Sequence, residues 1–271
     1  MNGAGRLVPT GTLARLAMAG ICVLFTGASG AAAEGTLDRI KSSGVLQVCG
    51  VDGLLPYSSS DPNVPGFEVE IAQAMAAELG VRAEYVWVTW DALIPALTSE
   101  RCDAIINGMF ITEERDQIID FTKPYYASGE TILVRKDNES VRDLKDLDGK
   151  SVGVLAGSVT VGELEKKGIG NLEVYPDQNT IILELNNGRI DAAYLEAPSA
   201  AWTIKNDPTL NVKVVESYVP DERWNAGVGL REEDDDLEQA LNDVIDNLHE
   251  KDTVRTILNK YNVPYFPVTT E

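Results

Sequence analysis

Four stretches of the chain carry side chains whose chemistry could serve a small ligand. The run Thr112-Glu113-Glu114-Arg115-Asp116 sets a guanidinium among acids. Its planar fork can donate two parallel hydrogen bonds to a carboxylate. It can equally pair with Glu113, Glu114 or Asp116 on a solvated face, and spacing alone favours that second use. Glu196 closes the apolar run Ala192-Ala193-Tyr194-Leu195. A carboxylate there can hold an ammonium group through charge-assisted hydrogen bonds, or simply add to an acidic surface. Tyr57 and Trp90 offer faces that stack on apolar, planar or cationic groups, although aromatics at strand ends are ordinarily core, as expected of Trp87. Gly157-Ser158-Val159-Thr160 opens a helix-like stretch. Its backbone N–H groups and dipole can hold an anion, while Ser and Thr are also ordinary caps.

Other chemistries lack their residues. The sequence has one histidine, His249, on a polar helical stretch, so no metal site is expected. No nucleophile–base pair stands out, and nothing calls for a cofactor. Beyond Cys22, two cysteines remain, Cys49 and Cys102. Cys49 falls near the end of an apparent strand at 45–50, and Cys102 precedes one at 103–107. As parallel neighbours these strands would hold the two residues at opposite ends, roughly 10 Å or more apart. A disulfide needs Cα atoms within about 7 Å, so two buried thiols are expected.

Strand-like and helix-like segments alternate around these residues. VLQVCGV leads to FEVEIAQAMAAELG, with Phe67, Ile71, Met75 and Leu79 at helical spacing; AEYVWVTW, ALIPALTSE and CDAIINGMF follow as strand, helix and strand. This is the rhythm of a parallel sheet covered by helices. It restarts after residue 149 with SVGVLAG, VTVGELEKKG, LEVYP, TIILELNNGR and IDAAYLE. Residues 234–262 read as a long amphipathic helical region. Two such sheets imply two lobes. The extended stretches 125–133 and 224–230 read as paired crossings between them, so the first lobe comprises 34–128 and 229–271 and the second 129–228.

The N-terminus reads as an export signal: Arg6 and Arg15, the apolar run 16–25, and Ala31-Ala32-Ala33 before Glu34. The apolar run is too short to span a bilayer comfortably. Cys22 follows Ile21 where a lipid anchor calls for a small residue, so a free soluble protein in the periplasm is expected. Losing 1–33 removes two basic and no acidic residues, taking the formal charge from −20 to −22. So acidic a protein does not seek nucleic acid or anionic lipid.

Four segments in order resemble the family 3 bacterial solute-binding proteins, the polar amino-acid receptors of ABC importers. They are GFEVEI at 66–71 with Met75, Ala76 and Leu79, TEER at 112–115 with DFTKPYY at 120–126, GKSVGV at 149–154, and GRIDAAY at 188–194. The resemblance covers essentially all of the mature chain. It implies a type II periplasmic-binding-protein fold: two α/β lobes joined by a two-stranded hinge that closes on a ligand in the cleft. A monomer docking on a membrane permease is expected. Arg115 stands where the family binds the ligand carboxylate, opposite Ser158, Val159 and Thr160. Glu196 replaces the usual aspartate that holds the α-ammonium, reaching one methylene further. Tyr57 and Trp90 match aromatic wall positions, and Gly108 lies in the same segment as Phe110.

Two departures bear on the ligand. Phe110 and Val159 stand where Ser or Thr is usual, removing polar contacts worth about 1–3 kcal/mol each to an unsubstituted α-amino acid. Phe110 with Tyr57 and Trp90 would make an aromatic cage suited to a delocalised or alkylated cation, and ectoine-binding members of the family carry an aromatic at the Phe110 position. An ordinary amino acid, with Phe110 filling the cleft wall, is the expectation of greater weight. Some periplasmic dehydratases of prephenate-like acids also resemble this fold and keep the arginine, which would make Glu196 a general acid or base.

Overall fold

A computed structural model describes residues 35–220 and 223–268. The expected export signal lies outside the described residues. Twelve strands alternate with nine α-helices among those residues. The first sheet contains β1 (Val45–Gly50), β2 (Arg82–Trp87), β3 (Ala104–Ile105) and β4 (Asp120–Phe121). The chain then crosses through β5 (Tyr126–Ser128) into a second sheet of β6 (Glu130–Arg135), β7 (Val152–Leu155), β8 (Leu172–Tyr175), β9 (Ala192–Glu196) and β10 (Val212–Val214). It returns through β11 (Trp224–Ala226) to β12 (Gly229–Leu230).

The first sheet runs β2-β1-β3-β12-β4 and the second β10-β6-β9-β7-β8, while β5 and β11 pair as a separate two-stranded ribbon. Neither sheet is wholly parallel. β1 is parallel to β2 and β3, but β12 is antiparallel to β3 and β4. Likewise β7 is parallel to β8 and β9, whereas β6 is antiparallel to β9 and β10. The antiparallel strands are those adjoining the crossings, because a chain entering or leaving through the ribbon meets the sheet from its far end.

The helices are α1 (Thr36–Ser43), α2 (Phe67–Glu78), α3 (Leu93–Thr98), α4 (Glu113–Asp116), α5 (Val159–Lys166), α6 (Gln178–Asn186), α7 (Ala197–Asn206), α8 (Asp235–Glu250) and α9 (Thr253–Lys260). α2 buries Phe67, Ile71 and Met75, one face at i, i+4, i+8. α8 buries Leu237, Leu241, Val244, Ile245 and Leu248 by the same logic. The helical region expected over 234–262 consists of two helices, α8 and α9. Asp252 adopts the left-handed region (φ 53°), which ends the helical hydrogen bonding between α8 and α9.

Cys49 and Cys102 form a disulfide, with Cα atoms 5.6 Å apart, so the expectation of two free thiols is corrected. The register sets Val48 opposite Ala104, which would carry an extended residue 102 to the level of Leu46. The chain is not extended there. Residues 101 and 103 bend as it leaves α3, and Arg231 Nη1 donates to the carbonyls of Leu97 (3.3 Å) and Cys102 (2.8 Å), holding this loop back towards Cys49. Trp87 is half-buried rather than core and stacks on Tyr85, ring centroids 4.6 Å apart.

Candidate functional site

Arg115 sits on the single turn α4, whose N-cap Thr112 accepts the Arg115 N–H at 3.2 Å. The side chain turns inward and is only 8% exposed. Nη1 donates to the Phe110 carbonyl at 2.7 Å and Nη2 to the Gly157 carbonyl at 3.1 Å. The guanidinium carbon stands 5.9 Å from the Trp90 ring centroid, and Trp90 Nε1 also donates to Gly157 O, at 3.2 Å. One carbonyl of the second lobe thus takes hydrogen bonds from two side chains of the first. Neither bond of Arg115 goes to a carboxylate. Burial lowers its pKa to about 10, against the pull of Glu196, Glu114 and Glu130, so the group stays cationic at neutral pH.

Gly157 and Ser158 precede α5. Ser158 Oγ donates to Leu155 O at 2.7 Å and lies 2.5 Å from Thr160 Oγ1, and it does not cap its own helix. The N–H groups of the first turn therefore take no cap from it, and the positive end of α5 faces the Arg115 side of the cleft. Thr160 is buried and Val159 partly so, packed against the larger apolar core. A cavity of about 400 Å³ is lined by Thr112, Arg115, Gly157, Ser158, Val159 and Trp224, among others.

Glu196 ends β9 and retains some contact with solvent. Loss of hydration pushes its carboxyl up to about 7, while the Tyr57 hydroxyl and Arg115 pull it down. Tyr57 is fully buried. Its hydroxyl faces Glu196 and Ser128 but closes a well-formed hydrogen bond with neither. Gly108 lets that ring approach: with φ at 70°, an added Cβ would stand 2.8 Å from Tyr57 Cε1 and 3.0 Å from the Tyr126 hydroxyl.

Arg115, Trp90, Gly157 and the Phe110 backbone thus form one group, and Tyr57, Gly108 and Glu196 a second beside it. Phe110 itself is 1% exposed and pairs by its backbone with Ala226. Among the described residues no ring contact links Tyr57, Trp90 and Phe110; Tyr57 packs on Phe67 instead, centroids 4.6 Å apart.

Sequence reasoning passed over Glu130, at the start of β6 and 2% exposed. Burial raises its carboxyl well above the usual range, helped by Glu196 and Glu163 and opposed by Arg115. The signal for it was a lone acid heading the apolar run Thr131-Ile132-Leu133-Val134. Trp224, whose buried Nε1 has no hydrogen-bond partner, was read only as part of a crossing. Of the acids, Asp120, Asp235 and Glu238 lie close enough to share an ion among the described residues, but none belongs to this site.

A cleft with a buried guanidinium on one α/β lobe and a helix N-terminus on the other defines a hinged solute-binding protein. Residues 46–264 match the model of the bacterial extracellular solute-binding proteins, family 3, and the chain belongs to that family. It is 34% identical over 263 residues to the L-cystine-binding protein of Escherichia coli, covering 95% of each. It is 32% identical over 216 residues to the histidine-binding periplasmic protein of the same organism, covering 76% of this chain and 83% of that one. Among solved structures it resembles an ancestral amino acid-binding protein, a precursor of cyclohexadienyl dehydratase, with a TM-score of 0.75 and 32% identity over 84% of this chain and 99% of that one. Among the described residues no helix is long and apolar enough to cross a membrane.

Proposed function

We propose that the protein captures a small amino-acid-like zwitterion between its lobes in the periplasm and presents it to the permease of an ABC importer. The single observation that carries this reading is Arg115: a buried, charged guanidinium whose hydrogen bonds go only to carbonyls. A ligand carboxylate would supply the missing anion, held between Arg115 and the first turn of α5. The α-ammonium would meet Glu196, with Tyr57, Trp90 and Phe110 as walls and Gly108 giving them room. Residues 129–228 would swing as one lobe about the β5–β11 ribbon. The cystine- and histidine-binding relatives support an amino-acid ligand.

Titration calorimetry against the standard amino acids, ectoine and glycine betaine tests the reading. Binding of at least one is expected. Arg115→Ala should weaken it by about 2–5 kcal/mol, some thirtyfold or more, with an unchanged circular dichroism spectrum. Unchanged affinity would refute the site. Tight binding of an unmodified amino acid with none of ectoine or betaine would discard the aromatic cage. Because Glu196 is poised near neutrality, as a general acid must be, prephenate belongs in the panel. Its turnover would replace the binding role with a catalytic one.

A further inference from the structure

We propose that the cavity beside the crossing ribbon is a second ligand site that takes a small aromatic monocarboxylate, and that its occupancy is coupled to ligand in the cleft. The site stands on its own walls; the coupling rests on the interlobe binding proposed above. The cavity has a volume of about 440 Å³, within the usual range for small-molecule sites. It shares no lining residue with the cavity at Arg115. One wall comes from α7 and residues 218–220 of the second lobe, the other from residues 261–266, which follow α9. Ser128, which ends β5, and Gly129 after it also line it. The Ala127 N–H donates to the Phe266 carbonyl at 3.3 Å, which fastens the C-terminal wall to the ribbon.

The lining is apolar and rich in rings. Tyr218, Tyr261 and Val263 are buried and Trp202 is half-buried. The Trp202 and Tyr261 ring centroids lie 6.2 Å apart. Rings so placed stack best on a flat apolar body. Charge then selects an anion. Lys205 and Arg223 stand at the exposed rim, and among the described residues neither forms an ion pair. Arg223 is held instead over the Phe266 ring, its guanidinium carbon 4.1 Å from the centroid, which leaves its planar fork for a carboxylate. Glu130 is the one acid lining the cavity among the described residues, and burial holds its carboxyl protonated. The cavity therefore presents two positive charges and no negative one, in a chain of net charge −20. Two unpaired cations at the mouth of an apolar cavity match a ligand with an apolar body and one carboxylate.

The walls come from both sides of the ribbon, so an occupant makes different contacts in different arrangements of the lobes. A ligand needs just that difference to shift them. The cavity belongs to the arrangement in which Trp90 and Arg115 both reach the Gly157 carbonyl across the cleft. An occupant that fits it favours closure, as a ligand in the cleft does. Each then tightens the binding of the other by the same factor.

Indole-3-acetate and indole-3-acetamide, alike in shape and differing by one charge, test the site by calorimetry on the full-length mature protein at neutral pH. The acid should bind at least about fivefold more tightly than the amide, the size expected of partly exposed cations. Lys205→Met/Arg223→Met should bring the two within about twofold while the amide affinity holds. Arg115→Ala should leave the affinity for the acid within about threefold, which separates this site from the cleft. Saturating indole-3-acetate should tighten the amino-acid binding of wild type about fivefold. The site is overturned if the acid does not bind, if the amide binds as tightly, if the double variant keeps the preference, or if Arg115→Ala abolishes binding of the acid. An unchanged amino-acid affinity overturns the coupling. If no amino acid binds, the coupling falls with the binding role, while the acid–amide difference still decides the site. Should the double variant not fold, the wild-type ratio and Arg115→Ala decide.

Discussion

Two buried glutamates show what separates the interior of the first lobe from the edge of the cleft. Glu68, on α2, is wholly inaccessible, and both its oxygens are engaged: Tyr125 donates to Oε2 at 2.9 Å and Tyr126 to Oε1 at 2.7 Å. Glu130 is almost as deeply buried, yet one oxygen has no partner. Burial raises both carboxyls, Glu68 to about 7. The chemistry is the same and the completion differs. Glu68 brings its hydrogen-bond partners with it, whereas Glu130 leaves one buried oxygen without any.

If that division is real, damage to the first-lobe interior should cost stability and spare ligand binding. The largest such effect is expected from the disulfide, which closes a loop between residues 53 apart. Removing it as Cys49→Ala/Cys102→Ala should lower unfolding free energy in urea by about 4 kcal/mol, with ligand affinity unchanged. A fall in affinity comparable to that of Arg115→Ala would break the division.

Next comes Glu68→Gln, expected to cost about 1–3 kcal/mol of stability. It should also alter the response to pH. The folded state holds the Glu68 proton up to about 7, while the unfolded chain releases it near the ordinary value of 4.5. That stabilisation is complete below the lower value and is lost as pH rises through the upper one. The melting temperature should therefore climb as pH drops from about 7.5 to about 5.5, Glu196 adding in the same direction. Glu68→Gln should flatten the slope; a melting temperature independent of pH across that window would contradict the buried, protonated acid.

The smallest effect tests the cleft side. Trp90→Phe removes the bond to Gly157 O across the lobes and should weaken ligand binding by about 1 kcal/mol. The ligand-free melting temperature should barely move. A large loss of stability with no loss of affinity would make Trp90 part of the core rather than of the closure.

Much of this was legible in the sequence because it depends on periodicity. The apolar face of α2, the apolar run at β1 and the restart of alternating elements after residue 149 follow from side-chain repeats that packing must respect. Arg115 became recognisable only through its segment, since guanidinium and neighbouring acids allow a surface pair equally well. The disulfide is hidden from the sequence because the apparent strand at 103–107 starts one residue ahead of β3, at a loop that in fact bends. Glu130 was missed because residues 125–133 were read as a crossing; the alternation Glu130, Ile132, Val134 already places its side chain on an inward face. The break at Asp252 leaves no trace in the apolar pattern, which continues on either side of it.

The bond between Cys49 and Cys102 also fixes when this protein reaches its full strength. Thiols stay reduced in the cytoplasm and pair only in an oxidising compartment, so the chain is stapled only once it meets such a compartment. Until then its first lobe lacks a restraint worth about 4 kcal/mol. Recombinant protein made in a reducing cytoplasm and the same chain after oxidation are, in this respect, two materials of different durability.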